Sequence, residues 1–273
     1  MSSLIPPQRN HLLAALPPAE LARMLPHLQL LTLQRKQMLH RCGERIAYAY
    51  FPVTAVLSID YILENGDTAE ILNIGREGLL GISLCMATHH AVERASVHTT
   101  GYAYRIGAAQ LLSEFYRNGQ LMRLLLGYTQ QRLNRISLSA ICNRHHSLEQ
   151  RLCRYLLEML DRGTSRELEC TQEALGAILG VRREGVTEAV RRLQLLGVLH
   201  WSRGRVRLLS RAGLEAHACE CYQVLRKQTA RPAIALLDLP AHLLPERRAG
   251  LLVSGRRVVA ERRRSWQLLA EAS

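Results

Sequence analysis

Residues 171–210 constrain this chain more than any other stretch: TQEALGAILGVRREGVTEAVRRLQLLGVLHWSRGRVRLLS. Thr171 stands where a hydroxyl can cap a helix, and Gln172 and Glu173 suit the free N–H groups of its first turn. Leu175, Ile178 and Leu179 recur at three- and four-residue spacing, which gives a single apolar face. Gly180 is placed to end that helix, since glycine tolerates the left-handed conformation found just past a C-terminus. Val181 follows as an apolar plug for the turn. A second helix is expected from about Arg182 to Leu196, with Val186, Ala189, Val190, Leu193 and Leu196 as its buried stripe and Gly197 closing it. Val198–Trp201 and Arg205–Leu208 then read as two short strands around Ser202-Arg203-Gly204.

Two helices joined by a tight turn and followed by a basic hairpin make a winged helix-turn-helix. Its second helix opens with Arg182 and Arg183. An α-helix fits the major groove of a duplex, and arginines at its leading end reach base edges and phosphates. A plain helical hairpin with solvated arginines is the competing reading. The hairpin directly behind the helices, and the arginine on both, favour the DNA reader. DNA contacts are accordingly expected from Arg182, Arg183, Arg191, Arg203 and Arg205. Glu184, Thr187 and Glu188 lie nearer the exposed side of the same helix than its apolar stripe.

The distribution of charge agrees. The net charge of +13 is uneven: residues 1–120 carry ten Arg and Lys against nine Asp and Glu, whereas 171–211 carry eight Arg against three Glu. A local surplus of this kind suits a polyanion, whose displaced counterions supply non-specific affinity. With 273 residues the chain has length for two modest domains, each with its own core.

Ahead of this region, residues 9–25 read as short helices. From Leu30 to about Arg105 the texture becomes strand-like pieces: QMLHRCGE, YAYFPVTAVLSIDYIL, TAEILNIG and RASVHTTGYAYRI. Glu64-Asn65-Gly66-Asp67 is a hairpin turn signal. Many short strands at this spacing predict a small antiparallel barrel or jelly roll. Leu111–Tyr116 reads as a short helix. A long one follows from Leu121 to about Cys142, with Leu121, Leu124, Leu125, Tyr128, Leu133 and Ile136 forming a broad apolar side. Part of that side would cover the barrel and part would meet a second subunit. Ser147 and Gln150 resemble a capping box for the helix that leads into the DNA-reading part. Leu214–Arg226 reads as its closing helix.

The fold class predicted is α+β, with boundaries at 10–118 for a β-roll sensor, 119–143 for the long helix, 144–226 for the winged domain and 227–273 for a basic extension. No nucleophile–base pair, P-loop, zinc-protease pair or dinucleotide fingerprint is present, so no catalytic residue is assigned. Seven cysteines, at 42, 85, 142, 153, 170, 219 and 221, form no disulfide framework; the odd number suits a reducing cytoplasm. Cys219-x-Cys221 reads as too isolated for a metal site, and His145-His146 as hydrogen-bonding at the joint between domains, so no metal ligand is assigned. No signal peptide or membrane-length apolar run is seen.

With these pieces in place, the chain resembles the Crp/Fnr family of bacterial transcription regulators over about residues 10–226. The resemblance is strongest in LECTQEALGAILGVRREGVTEAVRRLQLLGVL and SRGRVRLLSRAGLE. It implies a cyclic-nucleotide-binding-like jelly roll, a dimerisation helix and a winged helix, working as a homodimer on double-stranded DNA in contact with RNA polymerase. It also implies that Arg183 and Glu184 approach bases and that Gln172 approaches the phosphate backbone. Glu188 stands where nucleotide-responsive members carry another base-reading arginine, so the preferred site should differ from that of the cyclic-AMP receptor. The implied effector is a cyclic nucleotide, with Gly78, Arg94 and Ser96 as candidate contacts. Leu79 and Ala95, however, replace a glutamate and a hydroxyl of the responsive members. Burying a ribose hydroxyl against Leu79 leaves it unpaired, which speaks against cyclic AMP in the usual pose. The alternative function is a nucleotide-binding module that regulates a protein partner.

Overall fold

The computed structural model describes residues 5–62, 64, 68–163 and 167–230. The chain divides into two compact units, 1–237 and 238–273, and every described residue lies in the first. Two short helices, α1 (His11–Ala14) and α2 (Pro18–Met24), open it. Seven strands follow: β1 (Gln29–Leu33), β2 (Met38–His40), β3 (Tyr48–Pro52), β4 (Val56–Ile62), β5 (Thr68–Ile74), β6 (Arg94–Thr99) and β7 (Gly101–Gly107). They form two antiparallel sheets, ordered β1-β7-β3 and β2-β6-β4-β5. Residues 65–67 of the expected turn lie outside the described residues. The strands either side of it pair as Ile62 with Thr68 and Tyr61 with Ala69.

The side-chain alternation of these strands sets the layers. Tyr50, Leu57, Ile59, Leu72, Ile74, Ala95, Val97 and Ala103 come from both sheets and form the core between them. The opposite faces differ in character. Ala49, Phe51, Tyr104 and Ile106 of β3 and β7 pack with the helices. Arg94, Ser96 and His98 of β6 stand with Ser58 and Asp60 of β4 on a polar face. Two of the strand-like pieces each held two strands, broken at 53–55 and at Thr100.

Helix α3 (Ala108–Phe115) precedes α4 (Gln120–His145). At 1.5 Å per residue α4 is roughly 39 Å long. Leu121, Leu124, Leu125 and Tyr128 of its first half are buried against the β-roll, whereas Leu126, Leu133, Ile136 and Ile141 stay exposed. The helix runs past its expected end near Cys142, so that Asn143, Arg144 and His145 are its last turn.

The winged part comprises α5 (Leu148–Arg162), β8 (Glu167–Glu169), α6 (Gln172–Leu179), α7 (Arg183–Leu195), β9 (Leu199–Ser202), β10 (Arg205–Leu208), α8 (Arg211–His217) and α9 (Cys221–Ala230). The Ser147–Gln150 capping box of α5 is formed in both directions. The wing has three strands, β8-β10-β9, since Glu167–Glu169 adds to the predicted hairpin. The single closing helix expected over Leu214–Arg226 is instead two, α8 and α9, separated at Ala218–Glu220. Residues 231–273, which hold most of the basic extension, lie outside the described residues. No helix among the described residues is long and apolar enough to cross a membrane.

A buried ion network ties the β-roll, α4 and α5 together. Glu158 of α5 pairs with Arg135 of α4, with Arg154 at 3.3 Å and with Arg162 at 3.6 Å. Arg162 also donates from Nε to Glu77 at 2.8 Å. Burial alone would raise the Glu77 and Glu158 carboxyls, but the surrounding arginines hold both below their ordinary range.

Candidate nucleic-acid interface

The Thr171 hydroxyl accepts from the Ala174 N–H at 3.1 Å and so starts α6. Gly180, at φ 64°, ends it in the left-handed region, where a side chain would cost about 1 kcal/mol. Leu175, Leu179, Val186, Val190 and Leu193 lock α6 and α7 onto α5 in one apolar cluster, with Val181 half-buried at the turn as its position predicts. Once that face is buried, the opposite face of α7 has only water to meet.

Of the predicted DNA-contacting residues, Arg182, Arg183, Glu184, Thr187 and Arg191 are exposed along α7, Arg203 and Arg205 are exposed on the wing, and Gln172 of α6 and Glu188 of α7 are half-buried. Arg182 is the N-cap of α7 and Arg183 its first residue, and both are exposed, as are Glu184 and Thr187. Among the described residues no acid lies within ion-pair distance of Arg182, Arg183 or Arg203. Thr187 Oγ1 lies 2.8 Å from Gln172 Oε1 and 3.0 Å from the Arg183 carbonyl oxygen, which links the starts of α6 and α7. Arg205 is exposed and pairs with Glu169 across the wing at 3.4 Å.

The wing tip is tighter than its three-residue sequence signal. Ser202 pairs with Arg205, which leaves a two-residue loop of Arg203 and Gly204, both with positive φ (49° and 74°). Such turns favour Asn-Gly, and an arginine in the first position is strained by about 1 kcal/mol. The turn leaves the Arg203 side chain exposed at the wing loop, with no ion-pair partner among the described residues.

Glu188 has a local role that its sequence position alone does not reveal. Its carboxylate accepts from Arg191 at 3.0 and 3.1 Å and from Arg192 at 3.2 Å. Hydrogen bonds from Arg191, then Arg192, pull its pKa below the ordinary carboxylate range. Two arginines on the reading helix are thereby partly neutralised. Replacing it, Glu188→Ala, is expected to strengthen binding to random-sequence DNA several-fold and to steepen its salt dependence by about one to two released ions per subunit. Fluorescence anisotropy at several salt concentrations reads both.

The three candidate effector contacts are not brought together in one pocket. Gly78 packs on α4, where an added methyl would overlap the Tyr128 hydroxyl. Its neighbours Leu79 and Leu80 are fully buried. Arg94 and Ser96 instead line a cavity of about 400 Å³ between the polar sheet face and α6, with Asp60, Glu70, Lys36 and Ile178. Arg94 is held by Asp60 at 3.3 Å. Burial drives the His98 pKa down to about 4, which makes it a neutral imidazole at neutral pH.

Burial also pushes the Glu70 carboxyl up to about 7, with Asp60 adding to the rise and Asn73 and Ser58 opposing it. From its ordinary value of 4.5 up to about 7 the folded chain therefore binds more protons at Glu70 than the unfolded chain does. This group's contribution to stability is full below 4.5 and is lost as pH rises through that window, by up to roughly 3 kcal/mol. Thermal unfolding of Glu70→Gln is expected to show a higher melting temperature than the parent at about pH 8 and little difference at about pH 5.

Comparison with known proteins agrees with this geometry. A family model for the Crp-like helix-turn-helix domain matches residues 150–217. FixK2 from Bradyrhizobium japonicum superposes with a TM-score of 0.61 at 17% identity, over 70% of this chain and 98% of that one. The chain carries a Crp-like helix-turn-helix domain. The c-di-GMP-responsive global regulator CLP of Xanthomonas campestris has the same fold (TM-score 0.58, 17% identity, 70% of this chain and 99% of that one). So has a CRP-family transcriptional regulator of Thermus thermophilus (TM-score 0.58, 17% identity, 69% and 96%). No curated protein sequence matches the chain. The matched residues span α5 to α8, and the likeness to the solved structures extends over the β-roll and α4 as a shared fold.

Proposed function

We propose that this Crp/Fnr-type chain acts as a homodimer joined along α4, with Arg182 and Arg183 of each subunit entering successive major grooves and Arg203 meeting the flanking phosphates. The observation that carries this reading is the exposed, acid-free pair of arginines at the leading end of α7. Dimerisation is supported by the second half of α4. Leu126, Leu133 and Ile136, with Thr129 and Ala140 between and after them, follow the alternating three- and four-residue spacing of a coiled-coil seam, and all three large ones are exposed in the single chain. The family's RNA polymerase contact belongs to the same proposal.

The β-roll passes its signal through the cavity between its polar sheet face and α6, not through the ribose-binding position of nucleotide-responsive relatives. Support comes from Tyr128 over Gly78, from the buried Leu79, and from Arg94 and Ser96 in the cavity wall. An anionic ligand competing with Asp60 for Arg94 would alter how α6 seats on the sheet. Calorimetry against cyclic AMP, cyclic GMP and cyclic di-GMP addresses the ligand, with no heat expected from cyclic AMP.

Selection of bound fragments from random-sequence DNA tests the reading as a whole. The expected product is a two-fold symmetric motif with half-sites one helical turn apart, differing from the consensus of the cyclic-AMP receptor. Recovery of no motif, with a protein partner bound instead, would favour the regulatory-module alternative.

A further inference from the structure

Where α4 ends, four metal-binding side chains meet that the linear sequence keeps far apart. Cys142 and His146 sit one turn apart at the end of α4. Cys219 lies in the break between α8 and α9, and Cys221 opens α9. The three sulfurs and the imidazole nitrogen all lie within 4.8 Å of one another. Cys142 Sγ is 3.6 Å from Cys219 Sγ, and Cys221 Sγ is 3.7 Å from His146 Nδ1. A tetrahedral ion with bonds of about 2.3 Å to sulfur and about 2.0–2.1 Å to nitrogen has edges of roughly 3.5–3.8 Å. Two of the six spacings, at 3.6 and 3.7 Å, already match those edges, and all six lie within 4.8 Å.

Three further features suit an ion better than a chance meeting of thiols. All three cysteines are buried, and together with the half-buried Leu138 they form a small cluster of their own, separate from the main cores. His146 turns Nδ1 to the sulfurs, while its Nε2 lies 3.1 Å from Glu220 Oε1. A carboxylate on the far nitrogen fixes the ring and its tautomer, an arrangement typical of metal-bound imidazole. Three thiolates around a divalent ion would leave one excess negative charge, and the Arg154 guanidinium acts on Cys142 with the opposite sign.

We propose that Cys142, His146, Cys219 and Cys221 form a closed Cys₃His site for a zinc-class divalent ion. Soft thiolates in tetrahedral array select zinc over hard cations, and four protein ligands leave no open position, so the role is structural rather than catalytic. The sulfurs are too close together to surround an iron–sulfur cluster. On binding, each thiol gives up its proton to solvent as its sulfur bonds to the metal. The ion would cross-link the end of α4 to the start of α9. Residues 146 and 147 are otherwise the only covalent link from the long helix into the winged domain. A second tether would fix the angle at which α7 is presented. That consequence for DNA rests on the function proposed above, but the site itself does not.

The test uses the full-length chain, purified under reducing conditions and stripped of metal, with no DNA present. Titration with Co²⁺ is expected to give the intense visible bands of a tetrahedral thiolate complex, saturating at one ion per chain and bleached by one equivalent of Zn²⁺. Cys219→Ser and Cys221→Ser should each lower Zn²⁺ affinity by roughly 100-fold or more in chelator competition. Glu220→Gln should lower it by roughly 10-fold or more at unchanged stoichiometry. Cys42→Ser, which alters an exposed cysteine elsewhere, should change nothing. A weak octahedral Co²⁺ spectrum from the parent chain would overturn the proposal whether or not the variants fold. So would unchanged affinity in both cysteine variants, or a Cys142–Cys219 disulfide that persists under these conditions in place of metal.

Discussion

The Arg183→Glu chain is expected to bind its selected DNA at least about 100-fold more weakly than the parent while unfolding at the same temperature. Arg183 is the first residue of α7 and fully available to a ligand, so no folded contact is lost with its charge. A bidentate arginine–base pair contributes about 1–3 kcal/mol of discrimination. Reversal adds repulsion from the neighbouring phosphates, and a symmetric dimer suffers the change twice. At about 1.4 kcal/mol per factor of ten, the lower end of that range already gives roughly the 100-fold loss once both subunits and the added repulsion are counted. Electrophoretic mobility shift beside thermal unfolding separates the two readouts. Equal loss of stability and binding would place Arg183 in the structure of the turn instead.

The second large effect concerns stability. Glu158→Ala is expected to cost about 3–5 kcal/mol in denaturant unfolding, the range for a buried pair that loses one partner. Its side chain is 13% exposed, and the three arginines around it are 15, 10 and 7% exposed. Removing the carboxylate leaves the Arg135 and Arg154 guanidiniums buried without this acid, and Arg162 with Glu77 alone. The loss should be accompanied by weakened attachment of α5 to the β-roll, since Arg162 bridges from Glu158 to Glu77. Glu158→Gln should recover little, because it preserves shape but not charge. A cost below about 1 kcal/mol would show that solvent screens the network as it does surface pairs.

The winged domain was legible in sequence because its signals are local. A capping threonine, a glycine at the turn and apolar residues at helical spacing each act within a few positions. Each of these elements is found within a residue or two of where the pattern puts it. Strand β8 escaped because three residues carry no period, and its reason for being a strand is the distant β10. The break between α8 and α9 was likewise hidden. Cys219 and Cys221 look like unremarkable residues of one helix until Cys142, 77 residues earlier, is folded beside them. The pairing of Arg94 with Asp60, and of Glu188 with Arg191 and Arg192, also depends on geometry. In both cases only the fold names the partner that engages the charge. The long helix α4 lay between these extremes: its apolar residues are visible in sequence, but only the fold shows which of them the β-roll has covered.

The account depends most on the exposed arginines of α7 and the wing meeting phosphates. Affinity for a fixed duplex measured from low to high salt tests this most directly. If Arg182, Arg183 and Arg203 of two subunits each neutralise a phosphate, the logarithm of affinity should fall linearly with the logarithm of salt, with a slope of roughly −5. A slope near zero, with binding intact, would contradict it.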